Sequence, residues 1–473
     1  MSQGKTGIRA IALAAAMLSA GMSQVLAQGA TDTSTEGQVQ AQIIQNPIIP
    51  ATADPEPRFT TAKQDAVLSR ARPEYNAIGL EAGGLFLDIE HLGRGQPLES
   101  FLLFPKVDIG LAFDDNLFAT RNNTVADFVG SITPSAKLIS NWDNHEVFAE
   151  AHARFSRPLA NAQEFSREHG VSAGGTLEIS EFEDIDLVAK FDRKTAPRGD
   201  AINNVGGDEP SVRYEYGVDG KWEYKRDKLL WRLDGGVIRK DFVDTPAGAG
   251  EVEADRNDRV EVGGNLRIGW EEWEGTTLFI QPGLKTVVHD LRFDALGVER
   301  DFSSSTLLAG FTYDLTAVTF LEGAIGLGYA TFADRNSANL LFATGKLDFV
   351  WNPHDSWTFL AGYERNVQST TAATNVNGVN IPDTAIITHE LSAGAQLEIT
   401  YELLAGLKTS FAHTSSISGN TVDNVVINEL SLLWLLNENM RLRTFWALTN
   451  FASTDANREF LRNRLGVVLT LHY

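Results

Sequence analysis

Every odd position from Leu465 to Tyr473 is apolar, in the run Leu-Gly-Val-Val-Leu-Thr-Leu-His-Tyr that closes the sequence on an aromatic side chain. Successive side chains of a strand point to opposite faces, so a two-residue period makes one apolar row and one row that tolerates water. The same period recurs with little interruption from Leu103 onward. Val107, Ile109, Leu111 and Phe113 alternate with Lys106, Asp108, Gly110 and Ala112. Val147, Ala149, Ala151, Ala153 and Phe155 alternate with Glu146, Phe148, Glu150, His152 and Arg154. The clearest run sets Val212, Tyr214, Tyr216, Val218 and Trp222 against Arg213, Glu215, Asp219, Lys221 and Glu223. One face is apolar and aromatic while the other carries charges of both signs, as a wall between lipid and a wet lumen requires.

No segment after the N-terminal region approaches the roughly twenty consecutive apolar residues of a membrane helix. Any spanning must therefore be by a closed barrel, which leaves no unpaired backbone in lipid. The expected fold class is all-β: a transmembrane, antiparallel, up-and-down barrel over residues 101–473. At the other end, Lys5 and Arg9 precede an apolar stretch from Ala10 to Leu26 that closes on Val25-Leu26-Ala27. That is the pattern of a secretory signal peptide over 1–27. Residues 28–100, rich in Gln, Thr, Pro and Ala and without sustained periodicity, read as a partly disordered periplasmic leader. The sequence has no Cys, which removes disulfides and thiolate metal sites. Its 62 acidic against 40 basic residues give a net charge of -22, the wrong balance for a nucleic-acid partner.

Connections alternate between very short and longer links. The short ones centre on Trp142, Glu181 to Asp184, Lys225 to Asp227, Glu272 to Gly275, Asp314 to Ala317, Asn352 to Ser356, Glu398 to Thr400 and Asn437 to Asn439. Longer polar stretches fall between them, among them Arg193 to Glu209, Asp241 to Asn257, Val367 to Asp383 and Thr414 to Val422. Short turns belong to the periplasmic side and long loops to the outside. The count is about 18 strands, within a range of roughly 16 to 20, and an even number returns both ends to the periplasm. Trp222, Tyr224, Trp231, Trp270, Trp351, Trp357, Trp434 and Trp446 form an expected aromatic girdle, mostly at the short-turn ends. Pro134 and Pro282 fall inside strands, where the missing N–H predicts local bulges.

Several segments resemble the N-terminal signature of the outer-membrane β-barrel porin family of proteobacteria. They are Arg72-Pro73-Glu74-Tyr75, Gly79, Phe101-Leu102-Leu103-Phe104-Pro105 and Phe113-Asp114-Asp115-Asn116-Leu117-Phe118-Ala119, with Thr133-Pro134 and Phe191-Asp192-Arg193 less specific. The resemblance covers the first third specifically and the remainder as barrel texture. It departs from the pattern by an insertion between Gly84 and Glu99 and by Glu81 where a basic residue is expected, which leaves open how the segment before the first strand docks. The resemblance implies an outer-membrane location and, more weakly, an association with exopolysaccharide production or export. It also implies that Leu469, Leu471 and Tyr473 are the C-terminal signal read by the barrel insertion machinery.

Chemistry-bearing motifs are scarce. HExxH, GxxxxGK[ST], GxSxG and the EF-hand loop are all missing, so metalloprotease, nucleotide-hydrolase, serine-esterase and calcium-sensor readings lack their parts. Gly323, Gly326 and Gly328 have the wrong spacing for a dinucleotide fingerprint and read as small residues that ease barrel curvature. Glu150, His152 and Arg154 share a strand face and read as a solvated lumen row. Asp114-Asp115-Asn116 reads as a loop tip held by Asx hydrogen bonds in preference to a cation site. The lumen-lining candidates are Lys106, Asp108, Glu150, Arg154, Arg213, Glu215, Lys221, Arg259, Arg267, Glu390, Lys408, Arg441 and Arg443. Mixed signs there suit a hydrated neutral or saccharide solute. The expectation is a porin-like channel or a barrel assisting exopolysaccharide export, not an enzyme, with no cofactor and no metal. The competing readings are a structural anchor or a barrel enzyme working through its outer loops. Expected partners are outer-membrane lipid and lipopolysaccharide, the insertion machinery and polysaccharide export components.

Overall fold

The alternating segments form eighteen long strands in a computed structural model. It describes residues 95–473 apart from 143, 197, 199–208, 248–249, 253, 294–296, 317–318, 335–337, 355, 370–372, 377–378, 383–384, 418–420 and 456–457. In chain order they are β1 (Phe101–Asp114), β2 (Asp127–Ser140), β3 (Glu146–Pro158), β4 (Ser166–Ser180), β5 (Glu183–Thr195) and β6 (Val212–Arg226). Then come β7 (Leu229–Val243), β8 (Arg259–Trp273), β9 (Thr276–His289), β10 (Phe302–Thr316), β11 (Thr319–Phe332) and β12 (Leu340–His354). The last six are β13 (Trp357–Ser369), β14 (Ala385–Thr400), β15 (Leu403–Ser416), β16 (Val422–Asn437), β17 (Met440–Ser453) and β18 (Phe460–His472). Each strand pairs antiparallel with its chain neighbours, and β18 returns to β1 in the register Lys106↔His472 through Asp114↔Arg464. The sheet therefore closes and presents no unpaired edge.

The expected links recur within one to three residues of the positions read from sequence. Tight turns at Glu181–Phe182, Asp227–Lys228, Glu274–Gly275, Tyr401–Glu402 and Glu438–Asn439 lie on one rim, here the turn rim, with the starts of β1 and the end of β18. The opposite loop rim carries the longer connections, two of which hold small hairpins, Thr245–Ala247 with Gly250–Val252 and Ala373–Val376 with Val379–Pro382. The expected signal peptide and nearly all of the expected leader lie outside the described residues. The leader's last residues are not irregular: Gln96–Leu98 folds back on Phe101–Leu103 as a short strand, and the Gly95 N–H reaches the Tyr473 carbonyl at 3.3 Å.

Outward rows are apolar and bare. Ile325 is 77% exposed and Leu284 70%, and exposed Leu, Ile, Val and Phe recur around the whole wall. So continuous an apolar belt is compatible with lipid and not with water. Seven of the eight expected girdle aromatics sit at the turn rim; Trp446 is the exception, in the middle of β17. The inner surface is not polar throughout. Val287, Phe302, Ala330 and Phe342 pack together near the loop ends of β9 to β12, all nearly inaccessible. Gly328 makes this packing possible, since a Cβ there would lie 2.2 Å from the Phe342 ring; at Gly326 the close neighbour is backbone, a Cβ lying 1.9 Å from the Leu307 carbonyl oxygen of the adjacent strand. Gly326→Val is accordingly expected to reduce the yield of folded, heat-modifiable barrel on SDS gels, while Gly297→Val, where open space surrounds the site but φ is +74°, acts only through local loop strain.

The prolines correct an expectation. Pro134 pairs with Val107 and Pro282 with Leu307 without any shift of register on that side. On the other side the ladder simply lapses, between Ile132 and Ser135 against β3 and between Gly283 and Ile280 against β8, and resumes in the same register. No bulge forms, because the intact neighbour strand fixes the stagger while the missing N–H removes bonds on one flank only.

Strands about 4.8 Å apart and tilted about 40° close eighteen-fold at a Cα diameter of about 35 Å. Among the described residues the closest backbone approaches of each barrel strand are to its ladder neighbours.

Candidate functional site: the charged inner wall

Ladder parity places the inner row. On β8 the exposed residues Val262 and Trp270 share the outer face, so Arg259, Glu261, Asn265 and Arg267 point inward. The same parity, strand by strand, puts all thirteen lumen candidates on the inner row. Most of these charges are held by an opposite one. Lys106 lies 3.4 Å from Asp108, which also accepts a 2.6 Å hydrogen bond from the Thr470 hydroxyl. Arg154 approaches Glu168 at 3.9 Å. Arg213 Nε donates to Glu215 at 2.7 Å, and Lys194 reaches the same carboxylate at 2.8 Å. Lys221 lies between Asp186 and Glu223, at 3.5 Å from each.

Three hubs lace several strands together. Glu261 on β8 is held by Lys240 of β7 at 2.9 Å, its own strand's Arg259 at 2.9 Å and Lys285 of β9 at 3.4 Å. Arg267 lies with its guanidinium 4.0 Å over the Phe279 ring, gives Nε to Gln281 at 2.9 Å, and grips Glu322 of β11 with two 2.9 Å bonds. Thr312 of β10 and Lys346 of β12 donate to the same carboxylate, so one anion ties β8 to β12. A bidentate arginine pair walled off from water is among the stronger charge-assisted contacts.

The third hub closes the barrel. Asp114, at 1% exposure, accepts Arg462 Nε at 2.9 Å through both oxygens and a further bond from Arg462 Nη2, with Arg464 Nε 3.8 Å away. Asp115 takes the Asn463 backbone N–H and side-chain amide at 2.7 Å each, and Asn116 donates to the Leu461 carbonyl at 2.9 Å. The Asx bond read from sequence is present as well, from the Asn116 N–H to Asp114 at 3.1 Å. The tripeptide thus fastens the loop end of β1 to β18, a long-range role that its local pattern does not reveal.

Arg443 pairs with Glu429, and Arg441 Nε meets His472 Nε2 at 3.1 Å. Lys408 stands opposite Glu429 in the β15–β16 ladder, Glu150 opposite Lys137 and Ser172, and Glu390 opposite Glu364 and Ala412. Glu322, Glu261, Glu429, Lys346, Arg462 and Arg464 were not among the sequence candidates. Parity alone could have marked them, since Leu321, Ile325 and Leu327 put Glu322 on the opposite face. Leu471 and Tyr473 are exposed on the outer side of β18, in one row with Leu469.

Comparison with known proteins adds the family. No curated protein matches the sequence. Solved structures are among the proteins to which the chain is similar. The copper transporter OprC is 12% identical with a TM-score of 0.46, the alignment covering 77% of this chain and 63% of that one, so the chain spans less than two thirds of that relative. The FrpB iron transporter from Neisseria meningitidis (F3-3 variant) is 10% identical over 78% of this chain and 81% of that one, with a TM-score of 0.43. The outer membrane protein opdK from Pseudomonas aeruginosa is 14% identical over 78% and 99%, with a TM-score of 0.40. The family model described as "Putative beta-barrel porin 2" matches residues 93–473, which starts two residues before the described part of the chain and takes in the whole barrel. The chain belongs to that porin family and is a porin-like β-barrel of the outer membrane.

Proposed function

We propose that the barrel is a passive channel for hydrated, uncharged solutes of the saccharide class, and not an enzyme or an anchor. The observation that carries this is the largely neutralised inner wall: among the described residues most cations and carboxylates of the lumen rows pair with one another. A solute meeting such a wall finds many hydrogen-bonding groups and little net field, which favours polyols over ions. Acid–base catalysis would need a carboxylate or imidazole free to exchange a proton with substrate. Glu215, Glu261 and Glu322 each answer to two or three cations instead. Passage of an exopolysaccharide chain, with export components docked at the turn rim, is the narrower form of the same reading. In it, Leu469, Leu471 and Tyr473 are the face met by the insertion machinery.

Swelling of proteoliposomes in iso-osmotic sugars tests it. Vesicles holding the folded barrel are expected to swell in mono- and disaccharides, at rates that fall with sugar size and that salt does not alter. Vesicles that hold folded protein and stay rigid in every sugar would contradict the proposal.

A further inference from the structure

The outer wall carries charge that a channel does not require. Over β3 to β5 the lipid-facing row is apolar through most of its height, with Phe155 and Val171 well exposed. Towards the loop rim the row turns basic: Arg157 on β3, Arg167 and His169 on β4, and Arg193 on β5. They are neighbours in the ladder, since Arg167 pairs with Phe155, His169 with Arg193, and Arg193 with Tyr214. Arg193 donates to the Arg167 carbonyl, and the Arg167 guanidinium lies 5.6 Å over the Phe165 ring, so both heads stay at the surface side by side. Among the described residues none of the four enters an ion pair. Arg239, outward-facing near the same rim on β7, differs: Asp241 at 2.5 Å and Asp290 at 2.6 Å neutralise it. In a chain of net charge -22, three neighbouring arginines without an ion-pair partner among the described residues run against the composition.

Guanidiniums set directly above an apolar belt complement an amphiphile whose phosphates sit directly above its acyl chains, and the planar fork of arginine suits phosphate better than a lysine point charge. We propose that this patch binds a phosphorylated glycolipid of the outer leaflet, lipopolysaccharide. Its phosphates lie on Arg157, Arg167 and Arg193, and its acyl chains lie against Phe155, Val171 and Tyr216. The proposal rests on the outer-membrane location and not on the channel reading.

Detergent-folded protein titrated with lipopolysaccharide, with its dephosphorylated form and with phosphatidylglycerol provides the test, read as thermal shift and co-migration. The triple variant R157Q/R167Q/R193Q is expected to bind lipopolysaccharide about a hundred-fold more weakly, about five-fold per arginine. R226Q, which removes an exposed outward arginine at the turn rim, keeps wild-type binding, and dephosphorylation of the lipid weakens binding to wild type alone. Should the triple variant fail to fold by heat-modifiable migration, the three single variants carry the same test at about five-fold each. Unchanged affinity in the arginine variants overturns the proposal. So does equal binding of the dephosphorylated lipid, and so does phosphatidylglycerol binding as tightly as lipopolysaccharide, which would make the patch a general anion surface.

Discussion

Asp114→Ala is expected to lower the temperature at which the barrel loses its compact migration in SDS, by far more than any loop substitution. Asp114 is buried, and its removal strands Arg462, whose side chain is only 7% exposed, and takes away one of the carboxylates near Arg464. Breaking a buried ion pair by deleting one partner costs about 3–5 kcal/mol, because the remaining charge is left without compensation. The loss falls at the junction of the first and last strands, where closure depends on pairing across the longest chain separation in the barrel. Urea titration in detergent should show the midpoint displaced in the same direction. Asp115→Ala, which removes hydrogen bonds to Asn463 and strands no buried charge, is expected to cost only about 1 kcal/mol. Replacing the hub by Asp114→Leu with Arg462→Met and Arg464→Met should recover most of the stability, because a well-packed apolar cluster of similar volume often equals a buried ionic one. A wild-type midpoint in Asp114→Ala would mean that the clasp does not hold the seam.

Opposite shifts of ion selectivity are expected from Glu322→Gln and Arg267→Gln. Glu322 is the shared anion of Arg267 and Lys346, so neutralising it leaves two lumen cations facing the solute path. Reversal potentials in a KCl gradient should then move towards chloride. Arg267→Gln leaves Glu322 with Lys346 as its cation and Thr312 as a donor, removes one positive charge, and the reversal potential should move towards potassium. The double variant, which removes one charge of each sign, should return close to wild type. Equal shifts of one sign in both single variants would contradict the neutralised-wall account, because they would report lost structure and not lost charge.

Much of this architecture is legible in the sequence. Period two identifies strands and faces, since a strand with lipid on one side can only alternate, and the contrast of short and long links orders the rims. What the period does not contain is stagger. Arg267 and Glu322 are inner-row residues on strands separated by two others, and they meet only because the tilt of the closed sheet slides one wall position over the next. The Asp114 clasp has the same origin: its Asx turn is local and visible, whereas Arg462 enters only once closure sets β1 beside β18. At the prolines the sequence shows the missing donor but not the neighbour strand that holds register, so it points to bulges that do not form. The inner apolar packing of Phe302 and Phe342 hides for a related reason, since Gly328 records only that something bulky lies close, without naming it.

Single-channel recording in planar bilayers tests the central claim most directly, with folding verified beforehand by heat-modifiable migration. A closed barrel with a wide, internally neutralised lumen predicts discrete, ohmic conductance steps and a reversal potential near zero in a KCl gradient. Folded protein that leaves the bilayer silent, or that passes one ion to the near exclusion of the other, would contradict it.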